Sequence, residues 1–378
     1  MKFIIKLIIQ FCINACIFPS KNITPKTILL IRLDAIGDYV LFRNFIQTLK
    51  TSNKYKDYKI TLVGNNAWKS LSETLDSQYI DKFIWIDRHQ FNKNFFYRYK
   101  KLKEISSAGY EITLSPIYSR EFFYADTIVK LVNAHRKIGN CGDLYNLKSW
   151  QTKLGNRYYT ELSQADDNLM FEFFRNKEFF QNVLQEDIVI KKPFIDISTI
   201  NSSITLPEHY IVLFLGASAT FKKWPTENFI KVAEFIRQEY KMDIIICGDH
   251  TEIEAAEKFN NLLSNGVLNM VGKTSLLDVL TIINNAELLI ANETSAPHFA
   301  VALAKPSIII IYNGNHFGRF TPYPKELSNK YHVVYHPAIE NNLTEYKIIS
   351  NQYGYYSQLD INEIEVDSVI KKITSILH

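Results

Sequence analysis

Apolar positions along the chain fall into two kinds of run. Short, nearly continuous ones stand at 27–33 (TILLIRL), 59–63 (KITLV), 83–86 (FIWI) and 111–115 (EITLS). Strands buried on both faces read this way, so these runs predict a parallel sheet. Between them lie stretches with helical spacing, at 40–50 and 124–134, and the alternation predicts a doubly wound α/β domain. The pattern breaks over 155–205, which is polar, aromatic and mainly helical in character, as expected of a bridge. Alternation resumes at 210–215 (YIVLFL), 243–247 (DIIIC), 287–291 (ELLIA) and 307–312 (SIIIIY). A tyrosine-rich stretch over 323–358 reads as irregular, and 361–377 regains helical spacing. The expected organisation is an N-terminal segment (1–24), a first α/β domain with a helical linker (25–200), a second α/β domain (201–345), and a tail with a helix (346–378). Ligands of such domains bind at the C-terminal ends of strands.

Residues 2–18, KFIIKLIIQFCINACIF, are apolar with a basic start. Lys2, Lys6, Gln10 and Asn14 recur every four residues and form one narrow polar stripe on a helix, as in a segment lying in a membrane interface. The interior polar groups and short length argue against a span, and no small-x-small cleavage site precedes Pro19. A monotopic anchor outside the α/β cores is expected, with a helix packed on the protein itself as the other reading.

Composition narrows the classes. A length of 378 residues exceeds what one core usually holds. Hydrophobic residues at 47% and charged residues at 22% exclude a disordered chain. A net charge of +4 is too mild to argue for nucleic acid. Cys12, Cys16, Cys141 and Cys247 form no CxxC pair and no Cys/His spacing suited to zinc, which points to a reducing compartment and no structural metal.

Three strand-end loops carry candidate chemistry. The first is Asp34-Ala35-Ile36-Gly37-Asp38, followed by a helix expected near Tyr39. Gly37 permits a tight turn, and Asp38 can act as a general base or merely cap that helix. The second, Gly216-Ala217-Ser218-Ala219-Thr220-Phe221-Lys222-Lys223-Trp224-Pro225, offers small donors and positive charge to a diphosphate. The third is Asn292-Glu293-Thr294-Ser295-Ala296-Pro297-His298, in which Thr294 or Ser295 can cap a helix whose first amides form an anion site, with His298 near enough to add a proton or a hydrogen bond. Residues 88–103 (RHQFNKNFFYRYKKLK) mix six Lys/Arg with five aromatics, suiting either anionic lipid or glycolipid or a solvated helix face.

In this order and spacing, the motifs ILLIRLDAIGDYVL, GASATFKKWPTENF and VGKTSLLDVLTIINNAELLIANETSAPHFAVALAKPSIIII resemble glycosyltransferase family 9, the lipopolysaccharide heptosyltransferases. The resemblance implies the GT-B fold, two Rossmann-like doubly wound domains facing across a cleft. It implies an inverting, metal-independent transfer of heptose or a related sugar, with no cofactor and ADP-heptose as the leading donor, to a lipopolysaccharide core or other glycolipid. By position, Asp38 corresponds to the base. Ser218, Thr220, Lys222, Glu293, Thr294, Ser295, Ala296 and His298 fall on the donor side, and Asp34, Gly37 and Arg120 on the acceptor side. The implied place of work is the cytoplasmic face of the inner membrane. Glu293 stands where the family usually has Asp, Ser295 replaces a usual Gly, and Asn313-Gly314-Asn315 replaces Gly-Pro-Thr. The loop Gly248-Asp249-His250-Thr251-Glu252 is expected near the donor nucleoside. A nucleotide-sugar epimerase of the same architecture and an inactive sugar-binding protein are the alternatives; a dinucleotide oxidoreductase would need GxGxxG after its first strand, which LDAIGD lacks.

Overall fold

The computed structural model describes residues 2–263 and 265–377, with side chains from residue 7 onward. The chain divides into two units, Met1–Asp167 with Phe173–Val189, and Asn168–Glu172 with Ile190–His378.

The first unit is built on strands β1 (Ile23–Arg32), β2 (Lys59–Asn65), β3 (Lys82–Ile86), β4 (Gly109–Ser115), β5 (Asn133–Asn140) and β6 (Glu161–Ser163). All neighbours pair in parallel, in the order β3-β2-β1-β4-β5-β6. The second unit repeats the plan with β7 (Tyr210–Phe214), β8 (Asp243–Cys247), β9 (Val267–Asn269), β10 (Leu288–Asn292), β11 (Ser307–Tyr312) and β12 (Tyr331–Tyr335), in the order β12-β11-β10-β7-β8-β9. Counted from each unit's own first strand, both orders are that of the Rossmann sheet. The chain reverses direction across the sheet between β1 and β4, and again between β7 and β10, and such switch points open a crevice at the strands' carboxyl ends. The three candidate loops follow β1, β7 and β10.

Apolar burial sets these elements. Ile28, Leu29, Leu30 and Ile31 are fully buried, each worth about 1.5–3 kcal/mol. That gain carries Arg32 into the interior with them, so its guanidinium must find partners there. Its Nε lies 2.9 Å from Asp34 Oδ2 and its Nη1 donates to Asn176 Oδ1 at 2.8 Å.

Some expected elements move. The stretch 40–50 is two helices broken at Arg43, of which α2 (Ile36–Phe42) is the first. The stretch 124–134 ends early, at Leu131, because β5 begins at Asn133. Strands β5, β6, β9 and β12 have no apolar run to announce them; β5 is polar along most of its length, and β6 and β9 have three residues each. The region 323–358 is also more ordered than expected, holding β12 and, as described below, a helix ending at Tyr353.

The N-terminal segment is a helix, α1 (Lys2–Ala15), and its orientation corrects the expectation. Lys2 and Lys6 have side chains outside the described residues. The other two members of the polar stripe turn towards the protein: Gln10 is buried and Asn14 half-buried, while Ile8, Phe11 and Phe18 are exposed. Ile17 joins the core of the first unit and Ile13 packs against it, so this segment is attached to the domain and not held apart from it. No described helix is long and apolar enough to cross a membrane.

The basic, aromatic stretch 88–103 is divided by burial. Arg98, on helix α3 (Phe95–Ser106), is buried, donates to Phe123 O at 2.9 Å and is drawn down to about 10 by burial. Lys93, Lys100, Lys103 and Phe96 remain exposed.

Candidate active site

In the first unit the loop after β1 is held from several sides. Asn65 Nδ2 and Trp68 Nε1 donate to Asp34 O at 3.0 and 3.1 Å, and Arg88 Nη1 donates to Leu33 O at 2.8 Å. Arg88 is itself gripped by Glu121 through two bonds of 2.7 and 2.6 Å. Helix α2 begins at Ile36, earlier than expected, with Ala35 at the N-cap position and no side-chain capping bond. Asp38 therefore lies inside the first turn, half-buried, and is not the capping residue. Gly37, also half-buried, precedes it in that turn. The next residue anchors the helix: Tyr39 stacks on Trp68 with ring centroids 4.5 Å apart, and its hydroxyl donates to Asp76. Asp76 also accepts from Arg43 Nη2 at 2.8 Å and Ser72 Oγ at 3.3 Å. Burial raises the Asp76 carboxyl, against the lowering influence of Arg43 and these hydrogen bonds. Tyr39→Phe deletes one donor to this buried carboxylate, so a loss of about 1–3 kcal/mol is expected in a denaturant melt; an unchanged midpoint would show that the hydroxyl carries no anchoring role.

Arg120, in the loop after β4, differs from expectation. It is fully buried; Nη1 donates to Asn140 O at 3.2 Å, Nη2 to Asn156 Oδ1 at 2.6 Å, and Nε lies 3.7 Å from Asp126 Oδ1. These internal contacts occupy both Nη atoms, while Nε has the Asp126 carboxylate nearby but no hydrogen bond; the buried guanidinium fastens the segments after β4 and β5 together.

In the second unit, β7 runs through Leu215 into the loop that carries Ser218 and Thr220, both exposed, and then into a short turn, Thr220–Lys222. Trp224 closes the loop before helix α4 (Thr226–Glu239): its Nε1 donates to Ile364 O at 2.8 Å and its backbone N to Asn292 Oδ1 at 3.0 Å. Asn292 Nδ2 in turn donates to Leu215 O at 2.9 Å, so one buried amide ties the loops after β7 and β10. Helix α5 (Ala296–Leu303) starts beside them, with Ser295 at the N-cap position and Pro297 in the first turn. Neither hydroxyl caps as expected. Ser295 makes no side-chain capping bond, and its carbonyl accepts from His298 N at 3.1 Å. Thr294 is half-buried and Ala296 buried.

Lys222 and Glu293 meet at this point, with Nζ and Oε2 separated by 3.6 Å, and Asn315 Nδ2 donates to the same oxygen at 3.0 Å. Burial raises the Glu293 carboxyl; Lys222 and the bond from Asn315 pull the other way. His298 is buried, its Nδ1 is 2.6 Å from the Tyr323 hydroxyl, and burial with the nearby Lys222 charge lowers it to about 4. A neutral imidazole can orient or hydrogen-bond, but it is not a general acid near pH 7.

Glu252, the last residue of the 248–252 loop, was not singled out as a site residue, yet it is the hub beneath the loop after β7. It is buried, accepts from Lys223 Nζ at 2.8 Å and from Asp249 N at 3.1 Å, and lies under Gly216, where an added Cβ would come within 2.5 Å of its carboxyl carbon. The only signal in the sequence is the capping-box spacing Asp249-x-x-Glu252. The 248–252 loop thus spends its carboxylates internally: Asp249 caps its own turn by accepting from Thr251 N at 2.6 Å.

The architecture, with two Rossmann-like α/β units and loops of this chemistry at both switch points, is that of the GT-B glycosyltransferases. A family 9 glycosyltransferase from Veillonella parvula has the same fold with a TM-score of 0.69 at 16% identity, over 95% of this chain and 99% of its own. Escherichia coli heptosyltransferase WaaC, solved with ADP-2-deoxy-2-fluoro heptose, gives 0.68 at 15% identity, over 92% of this chain and 99% of its own. The model of glycosyltransferase family 9 (heptosyltransferase) matches residues 125–343, and the chain belongs to that family. Lipooligosaccharide heptosyltransferase 2 of Haemophilus influenzae is 24% identical over 210 residues, 51% of this chain and 57% of that protein. The lipopolysaccharide core heptosyltransferase OpsX of the same organism is 25% identical over 194 residues, 50% of this chain and 51% of its own length. The chain thus spans about half the length of the curated relatives it matches.

Proposed function

We propose that this chain is an inverting, metal-independent glycosyltransferase that moves heptose or a related sugar from a nucleoside diphosphate, with ADP as the leading candidate, to a lipopolysaccharide core or other glycolipid. Asp38 takes the proton from the acceptor hydroxyl as that oxygen bonds to the anomeric carbon. The bond from that carbon to the diphosphate oxygen breaks, and the diphosphate leaves with the electron pair. Lys222, the amides at the start of α5 and the hydroxyls of Ser218 and Thr220 stabilise its charge. Asp34 and Gly37 shape the acceptor side, and Arg120 positions the loop behind it. The observation that carries this reading is the meeting of Lys222, Glu293 and the start of α5 at the second unit's switch point. Titration of ADP, UDP and GDP, followed by transfer from ADP-heptose to a heptose-deficient core, tests it. ADP is expected to bind at least about tenfold tighter than the others, with product formed only when acceptor is present. Epimerisation of a nucleotide sugar without acceptor would replace the proposal.

We further infer that α1 rests on the cytoplasmic face of the inner membrane. Ile8 and Phe11 on α1, with Phe18 just beyond its end, are exposed apolar side chains, and Lys130 Nζ lies 5.9 Å from the Phe11 ring, where a basic group suits anionic headgroups. Ile8→Glu with Phe11→Glu should abolish co-sedimentation with phosphatidylglycerol-containing vesicles and leave the melting temperature unchanged. Vesicle binding by that variant at the wild-type level would remove α1 from the membrane.

A further inference from the structure

Beyond the region matched by the family model lies helix α6 (Tyr346–Tyr353), followed by an ordered strip through Leu359. Together they form a recess of about 500 Å³, lined among others by Asn351, Gln352, Tyr353, Tyr355, Tyr356 and Gln358. The lining holds tyrosine rings and side-chain amides, and no acid or base. Tyr355 and Tyr356 are 40% and 50% exposed.

The recess is fastened to the donor loop. Tyr356 packs edge-on against Phe221, with centroids 5.3 Å apart, and Phe221 stands between Thr220 and Lys222. Asn313 Nδ2 donates to Phe221 O at 2.9 Å and to Leu359 O at 3.1 Å, and Ser357 Oγ donates to Asn313 O at 2.6 Å. The Arg319 guanidinium lies 5.0 Å from the centre of the Tyr355 ring. The rings are therefore held in place before any ligand arrives, which lowers the ordering cost of binding.

We propose that this tyrosine shelf is a saccharide subsite that takes an uncharged pyranose ring beside the donor diphosphate. A pyranose presents one apolar C–H face and a rim of hydroxyls. Exposed tyrosine rings match the face, amides with both donors and acceptors match the rim, and an uncharged lining gives a phosphorylated sugar no counter-charge. The proposal rests on reading 218–222 as the donor loop, and ADP affinity, measured separately, reports on that loop alone.

Saturation-transfer NMR on the full chain, with lactose as the neutral probe and glucose 6-phosphate as the charged one, tests it. Transfer to lactose and little to glucose 6-phosphate is expected. Tyr355→Ala alone, which leaves the packing of Tyr356 on Phe221 in place, should reduce lactose transfer at least about fivefold while ADP affinity and the melting temperature hold. If ADP-heptose displaces lactose and ADP does not, the subsite serves the donor's sugar; if neither displaces it, it serves a sugar of the acceptor glycan. Absence of transfer in the wild type, equal transfer in the variant, or displacement by ADP alone would each overturn the proposal, the last by making the shelf a nucleobase platform.

Discussion

Asp38→Asn is expected to lower the transfer rate about a hundredfold or more, the loss typical of a missing general base, while ADP affinity and thermal stability stay at wild-type values. Asparagine keeps the size of the side chain and removes only its basicity. The helix that carries residue 38 does not depend on that carboxylate for its cap, since Ala35 occupies the N-cap position, and it is anchored next door by the stacking of Tyr39 on Trp68 and its bond to Asp76. Asp34→Asn gives the contrast. Asp34 sits 2.9 Å from the fully buried Arg32, so its neutralisation should cost stability, on the order of 1–3 kcal/mol, with a smaller fall in rate. Initial rates alongside calorimetric melts separate the two carboxylates. Near-normal transfer by Asp38→Asn would falsify the assignment.

Removing the Lys222 charge should weaken ADP binding about 10- to 100-fold, the range expected for a charge-assisted contact of 1.5–3 kcal/mol, and leave adenosine binding nearly unchanged. Lys222→Ala alone would strand Glu293, whose side chain is only 12% exposed and depends partly on that ammonium group. The informative variant therefore combines it with Glu293→Gln, which leaves an amide beside Asn315 and no orphaned charge. Calorimetric titration of both ligands reads the outcome. Equal weakening of ADP and adenosine would mean that the lysine holds the loop together and does not touch phosphate.

The parts of this molecule legible in its sequence are those where one physical demand dominates. The second half of β1 and strands β7, β10 and β11 are nearly continuous apolar runs because both their faces are covered. The loops after them stood out because glycine, hydroxyls and charge appear abruptly after such runs. Strand β5 was hidden because its polar residues suit a strand only once a neighbouring strand has supplied the pairing, and β12 because its short Tyr-His-Val-Val-Tyr run lies inside a tyrosine-rich stretch that reads as irregular. Arg120 shows the same limit from the other side: its position in the family resemblance put it on the acceptor side, and only tertiary contacts reveal that Asn140, Asn156 and Asp126 surround it. Positions 293 and 315, separate departures from the family pattern in the sequence, turn out to be hydrogen-bonded to each other. The longer glutamate and the amide therefore form one unit, a relation no linear spacing displays.

The inward turn of Gln10 and Asn14 on α1 leaves an outward face that can enter a lipid headgroup layer without repacking the domain behind it. An enzyme attached in this way meets a lipid-linked acceptor by diffusion in a plane and a soluble donor by diffusion in volume. Its velocity would then follow the number of acceptors per unit area of bilayer, so that diluting the glycolipid with inert phospholipid would slow it at constant bulk concentration.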